Sequence, residues 1–307
     1  MSSKIKKTNI IIFCYNRPKH IKKLILNLDK IKNRKIYVVC DGPKSKSDKN
    51  FVNKVRKIIN NSNLNISKKI YFESNIGVRN IFKIGLDWVF RFEKQIIILE
   101  DDILASKSFF SFCDKLLIKY KNKKKISQIA GCNINEKITK NYNDSYFYSR
   151  YSNIWGWATW KDRWISYDNN FTKLKYLLNS KSFIKNCKSK KEYSFWKKYF
   201  SIHFNNKEVG TWDYAWTYTN FLKNRASIVP KNNLIQNIGF DIGTGKNPKK
   251  LSNLKKKNIN LKLKYPKTIY TDIKYDNYCS AKVYSIPSLE WRIKKKILNI
   301  FELINIK

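Results

Sequence analysis

In Ile96-Ile97-Ile98-Leu99-Glu100-Asp101-Asp102 an apolar run ends in three acids. Four consecutive branched apolar residues read as a strand buried on both faces, as in a parallel sheet covered by helices. Three carboxylates stand at its carboxyl end, and ligands of open α/β sheets bind outside the carboxyl ends of the strands. Adjacent acids repel one another unless something positive joins them. A divalent cation carrying a phosphorylated ligand is one such partner; an acidic loop before the next helix is the plainer reading. That helix is expected over 107–120, with Ser106 as its N-cap.

Working outward, strand and helix signals alternate. Residues 9–14 read as a buried strand, after which Pro18 opens a helix with Ile21, Leu24, Ile25 and Leu28 on one face. Residues 36–40 are a second strand ending in the turn Asp41-Gly42-Pro43. A polar helix over 48–60, a strand over 69–72 and a helix from Asn75 to about Phe92 complete the run to the acids. Residues 126–132 read as a further strand. Alternation of this kind predicts an α/β fold, a mostly parallel sheet with helices on both faces.

With 307 residues, 42% hydrophobic and 15% aromatic, the chain can bury a core. Its formal charge is +42, from 64 Lys+Arg of which nine are Arg. Lys, Ile and Asn abundance fits an AT-rich genome, which weakens the charge as evidence for a partner, yet such a surface attracts phosphate and anionic lipid. The six cysteines show no paired spacing, and Cys14 and Cys40 sit inside apolar strands as small core residues. The expectation is a cytoplasmic protein without a disulfide framework. No apolar stretch approaches the ~20 residues of a membrane span.

Polar residues recur at the carboxyl ends of successive strands: Asn16 with Arg17, Asp41, Asn75 with Arg79, and Glu100–Asp102. Such a row suits a nucleotide pocket, with a carboxylate for base or ribose, an Arg for phosphate and acids for metal. Neither G-x-G-x-x-G nor G-x-x-x-x-G-K-[ST] is present. Singly, each residue also has an ordinary reading: a turn, a solvated charge, a helix cap.

Together, Phe13-Cys14-Tyr15-Asn16-Arg17, Val38-Val39-Cys40-Asp41-Gly42, Asn75-x-Gly77-x-Arg79-Asn80 and Leu99-Glu100-Asp101-Asp102 resemble the ordered landmarks of GT-A glycosyltransferases. The Asp-Gly and Asn-x-Gly elements are similar to glycosyltransferase family 2. The Glu-Asp-Asp form, Phe109-Phe110, Trp155-Gly156-Trp157 and Trp212-Asp213 look more like family 13, the N-acetylglucosaminyltransferase I type. The resemblance covers roughly residues 9–245. It implies a GT-A domain over 1–247, with a nucleotide-binding half at 1–105 and an acceptor and catalytic half at 106–247.

Carried over residue by residue, the resemblance implies that Arg17 contacts the donor diphosphate and Asp41 the uracil, with Asn75 and Arg79 in the donor site. Asp102 would hold Mn²⁺ (or Mg²⁺), with Glu100 and Asp101 near the sugar or the metal waters. Asp213 would be the catalytic base, and Asp241, Gly243 and Gly245 would belong to a loop that orders over donor. The residue types suit the chemistry: breaking a sugar–phosphate bond releases charge that a divalent ion stabilises, while a carboxylate takes the acceptor proton. Trp155, Trp157 and Trp212 are candidate walls for sugar rings, against the plainer reading of packed core. The Q-x-x-R-W of processive synthases is absent.

The expected activity is therefore metal-dependent, inverting transfer of a hexosyl or N-acetylhexosaminyl group from a UDP-linked sugar to a glycan or lipid-linked glycan in bacterial surface polysaccharide or lipooligosaccharide assembly. Residues 248–307 form a basic extension in which 288–304 reads as an amphipathic helix. It has two readings, an anchor on the anionic inner face of a membrane or a helix docked on the domain. A basic nucleic-acid-binding protein and an inactive nucleotide-sugar-binding relative are the alternatives. Scarce Arg, the acid cluster and missing nucleic-acid motifs count against the first, so no nucleic acid is expected.

Overall fold

The computed structural model describes residues 6–206, 211–242, 254–284 and 286. Strands β1 (Ile10–Cys14), β2 (Ile36–Cys40), β3 (Ile66–Tyr71) and β4 (Gln95–Glu100) lie in the order β3-β2-β1-β4, all parallel. Helices α1 (Pro18–Leu28), α2 (Lys46–Asn60) and α3 (Gly77–Val89) connect them. Period-two alternation sorts the strand residues into two cores. Ile10, Ile12, Val38, Ile97 and Leu99 pack with Leu24 of α1 and Val52 and Val55 of α2. Ile11, Phe13, Val39, Ile96 and Ile98 pack with Phe82, Leu86 and Val89 of α3. Both faces are covered, which is why these strands are written as unbroken apolar runs; each such side chain contributes about 1.5–3 kcal/mol on burial.

Beyond β4 the sheet departs from the parallel pattern. The eight strands run β3-β2-β1-β4-β8-β6-β9-β7. Here β8 (Trp157–Trp160) is antiparallel to both β4 and β6 (Ile126–Ala130), β9 (Ala226–Pro230) is parallel to β6, and β7 (Tyr146–Ser149) is an antiparallel edge. A separate antiparallel ladder joins β5 (Ile103–Ala105) to β10 (Ile235–Asn237). The architecture is α/β with a large, mostly parallel central sheet flanked by helices. Strand order reverses where β1 lies between β2 and β4, the switch point at which open sheets leave a crevice.

Several local expectations shift. Helix α2 begins at Lys46 because the Ser45 hydroxyl accepts from the Asp48 amide at 3.3 Å. Ser106 precedes α4 (Lys107–Lys119) but makes no side-chain cap; its hydroxyl pairs instead with that of Ser108 at 3.1 Å. Residues 254–284 are laced onto the body. Lys257 N donates to Asn233 O and Asp272 N to Tyr148 O, and Tyr275 of the short helix Ile273–Tyr278 is fully buried. The expected boundary at residue 247 and the helix over 288–304 lie outside the described residues. Among the described residues no helix is long and apolar enough to cross a membrane.

Candidate active site

A cavity of about 1110 Å³ opens at the carboxyl ends of β1, β2 and β4. The β1–α1 loop contributes Tyr15, Asn16 and Arg17, β2 is followed by Asp41, and β4 delivers Glu100 and Asp101. Helices α1 and α2 add Lys19, His20, Lys23, Asp48, Phe51 and Lys54. The crevice is thus acidic along β4, cationic along α1 and mixed along α2, where Asp48 faces it with Lys54.

At the acidic side Arg17 Nη1 lies 2.9 Å from Asp102 Oδ2 and 3.6 Å from Asp101 Oδ1. Burial raises the Asp102 carboxyl while Arg17 opposes the rise. Burial and the Asp102 charge push Asp101 up to about 7. Glu100 is pushed well above the usual carboxylate range by burial, then by Asp102, Asp101 and Asp213. Alternation along β4 turns Glu100 toward the face occupied by α3, because its register partner is Phe13. Asp213 comes from the first turn of α6 (Trp212–Leu222), packed against α5 (Lys190–Asn205). The fold therefore brings Asp213 into electrostatic reach of Glu100. Gly239 closes this corner: a Cβ built there would collide with the Asp102 carboxylate. Ile238 is held beside it, its amide donating to Asp102 O at 2.9 Å and its carbonyl 3.1 Å from His20 Nε2.

Asp41 lines the cavity and is itself fully engaged by protein donors. Its Oδ1 accepts from Gly42 N at 2.8 Å and Ile76 N at 2.9 Å; its Oδ2 accepts from Asn75 Nδ2 at 2.9 Å and Gly77 N at 3.1 Å. A carboxylate has about four lone-pair positions, so Asp41 is saturated and ties the start of α3 to the end of β2. Asn75 is its partner in that tether. Gly42 is required because the Ser74 backbone occupies the space of a side chain. Arg79 is buried, with Nε donating to Asn169 Oδ1 at 2.9 Å and Nη2 to Asn169 O, so it braces the 169 loop.

Two of the three aromatic candidates lie in the core. Trp157 and Trp212 are 1% and 2% exposed, within a stack that runs Phe13–Phe82 (4.1 Å), Phe82–Trp212 (4.2 Å) and Trp212–Trp157 (5.4 Å). They present no open face to a sugar; Trp212 instead fixes the start of α6 and so the placement of Asp213. Trp155 is partly buried, edge-on to Phe240 at 5.6 Å. Asp241 lies in the short turn Gly239–Ile242, while Gly243 and Gly245 lie outside the described residues.

The sequence reading passed over Lys19, Lys23 and Asp48. The two lysines stand four apart at the start of a helix that begins at the pocket, a detectable signal once β1 is placed. Asp48 was hidden because Ser45-x-x-Asp48 reads as a helix cap.

Among the described residues no group of three or more His, Cys, Asp or Glu side chains is arranged to hold a metal ion. The donor set is nonetheless compatible with one. Asp102 supplies hard carboxylate oxygen, and burial raises all three carboxyls, with the Asp102 charge adding to the rise of Glu100 and Asp101. A divalent ion taking one or two carboxylates and completing its shell from phosphate and water fits such a site.

The sequence matches no family model and no curated protein. Solved structures similar to the chain include a mannosyltransferase, PcManGT, from Pyrobaculum calidifontis in complex with GDP-Man and Mn²⁺. It is 10% identical, with 52% of this chain and 46% of that chain covered and a TM-score of 0.36, so the chain spans less than half its length. Mouse xyloside xylosyltransferase 1 in its apo form is 8% identical, with 69% and 80% covered and a TM-score of 0.33.

Proposed function

We propose that the protein is a metal-dependent, inverting glycosyltransferase that uses a nucleotide sugar, UDP-linked by resemblance, with a glycan or lipid-linked glycan as acceptor. One observation carries the reading. Glu100 and Asp101 line one cavity with Arg17 at the switch point of the sheet, Asp102 pairs with that same Arg17, and the charge of Asp213 acts on Glu100.

In this reading the donor diphosphate lies across the amino-terminal turn of α1, where Arg17, Lys19 and Lys23 neutralise it. Asp102, with Glu100 or Asp101, would hold Mn²⁺ or Mg²⁺, which when bound stabilises charge developing on the departing diphosphate. Asp213 accepts the proton of the acceptor hydroxyl as its oxygen attacks the anomeric carbon. The bond from that carbon to the diphosphate oxygen breaks as the new one forms, so a single displacement inverts the centre. A role in bacterial surface polysaccharide assembly, at the inner face of a membrane, belongs to the same proposal.

The test is thermal stabilisation by UDP, GDP, CMP and their sugars, with Mn²⁺ or with EDTA, on wild type and Asp102→Ala. Saturation at 100 times Kd is worth about 2.7 kcal/mol. A shift that requires one nucleotide, the metal and Asp102 supports the reading. No shift with any nucleotide would remove it. Asp213→Asn is expected to abolish transfer while keeping donor affinity; equal loss of both would dismiss Asp213 as base.

A further inference from the structure

We propose that Asp48, rather than Asp41, is the carboxylate that reads the nucleobase edge of the ligand, through a ring or exocyclic N–H. The inference rests on the nucleotide-sugar reading above and names the residue that selects the nucleotide.

The argument is one of acceptor capacity. Asp41 receives four donors on two oxygens and is 4% exposed, which leaves nothing to offer a ligand. Asp48 lines the same cavity and is only partly buried. Its Oδ2 accepts from the Tyr15 hydroxyl at 2.6 Å and its Oδ1 from Asn16 Nδ2 at 2.8 Å, and the Lys44 amide is a third donor beside it. Of about four lone-pair positions, acceptor capacity remains.

Its setting gives that capacity a direction. Tyr15 and Asn16 belong to the loop that carries Arg17, so Asp48 is held in fixed relation to the diphosphate-binding end. The Tyr15 and Asn16 bonds hold its carboxyl below the usual range, so it stays ionised and accepts only. An ionised carboxylate repels phosphate and selects N–H or O–H donors. Beside it Phe51, half exposed with Lys54 Nζ 5.8 Å from its ring centre, offers an apolar surface suited to a flat base. The cavity thus has a phosphate end at Arg17 and Lys19 and a base end at Asp48 and Phe51.

The test is calorimetric titration, with Mn²⁺, of UDP, GDP, CDP and inorganic pyrophosphate into wild type, Asp48→Asn and Arg17→Gln. Asp48→Asn is expected to weaken the preferred nucleoside diphosphate at least about tenfold, flatten the ranking among bases and leave pyrophosphate within about twofold; tenfold corresponds to about 1.4 kcal/mol. Arg17→Gln should weaken every ligand, pyrophosphate included. An unchanged ranking and affinity in Asp48→Asn overturns the inference, as does an equal loss for pyrophosphate. If wild type binds pyrophosphate but discriminates no base, or binds no nucleotide, the nucleotide-sugar reading itself falls and takes the inference with it.

Discussion

Replacing Asp41 by Asn separates a tether from a ligand contact. Four donors converge on this carboxylate, from Gly42 N, Ile76 N, Gly77 N and the Asn75 amide. An Asn side chain keeps one oxygen and turns an NH₂ toward the donors of the other. Two hydrogen bonds are then lost and the remaining two no longer have a charged acceptor. Hydrogen bonds to charged groups are worth about 1.5–3 kcal/mol each. With rearrangement returning part of the loss, the variant should be destabilised by about 3 kcal/mol. For a chain of this size that is a fall in melting temperature of roughly 5 °C.

Calorimetry or circular dichroism reads the shift, and nucleotide titration of the folded variant below its transition reads binding. The expected result is a clear fall in stability with base preference retained. Asp48→Asn should do the reverse, melting close to wild type while losing base preference. An Asp41→Asn protein that melts within about 1 °C of wild type yet no longer binds nucleotide would refute the acceptor accounting for both residues.

Gly239→Ala would place a methyl group against the Asp102 carboxylate and displace it from Arg17. The expected outcome is at least tenfold weaker Mn²⁺-dependent nucleotide binding by calorimetry, with little change in melting. Arg34 donates to both Asp114 oxygens, at 2.9 and 2.6 Å, in a pair that is 5% and 4% exposed. Arg34→Met leaves the Asp114 charge buried with only the Thr8 amide, and urea titration should show a loss of about 3–5 kcal/mol. Burial pushes Asp276 up to about 6, against the lowering by Ser149 and Arg150. The folded state thus keeps a proton that the unfolded chain has released, so stability falls as pH rises from about 4 to about 6 and is flat above. Asp276→Asn should remove this component, at most about 3 kcal/mol, from the pH profile of urea unfolding.

The parts of the molecule legible in the sequence are those whose burial is local and two-sided. Ile10–Cys14, Ile36–Cys40 and Ile96–Leu99 are unbroken apolar runs because helices cover both faces, and the acids after Leu99 stand out against that background. The strand Trp157–Trp160 was not legible. Trp157 enters one core while Ala158 and Trp160 enter the other, yet all three are apolar, so the period of two leaves no trace. For the same reason an aromatic run cannot distinguish a core stack from a sugar-facing wall. Asp41 and Asp48 differ in exposure and in how many donors reach them, and those donors come from Gly42, Asn75, Ile76 and Gly77 in one case and from Tyr15, Asn16 and Lys44 in the other. That count exists only after the strands are placed side by side.

Charge in the crevice bears on what can occupy it. Glu100, Asp101 and Asp102 hold their protons more tightly than free carboxyls because burial denies them water, and Arg17 only partly offsets this. On the proposed reading, a diphosphate arriving alone would be drawn to Arg17, Lys19 and Lys23 but would bring further negative charge beside the acids. A divalent ion arriving alone would be drawn to Asp102 but would compete there with the Arg17 guanidinium, 2.9 Å away. Together they would satisfy both sides: Arg17 would turn to the phosphate at the α1 side, leaving Asp102 free to hold the ion. Coupling of this kind is reciprocal, so nucleotide should raise the affinity for Mn²⁺ by the same factor as Mn²⁺ raises the affinity for nucleotide. In Arg17→Gln the competition for Asp102 is gone, and Mn²⁺ alone should then bind more tightly than to wild type even as nucleotide binds less well.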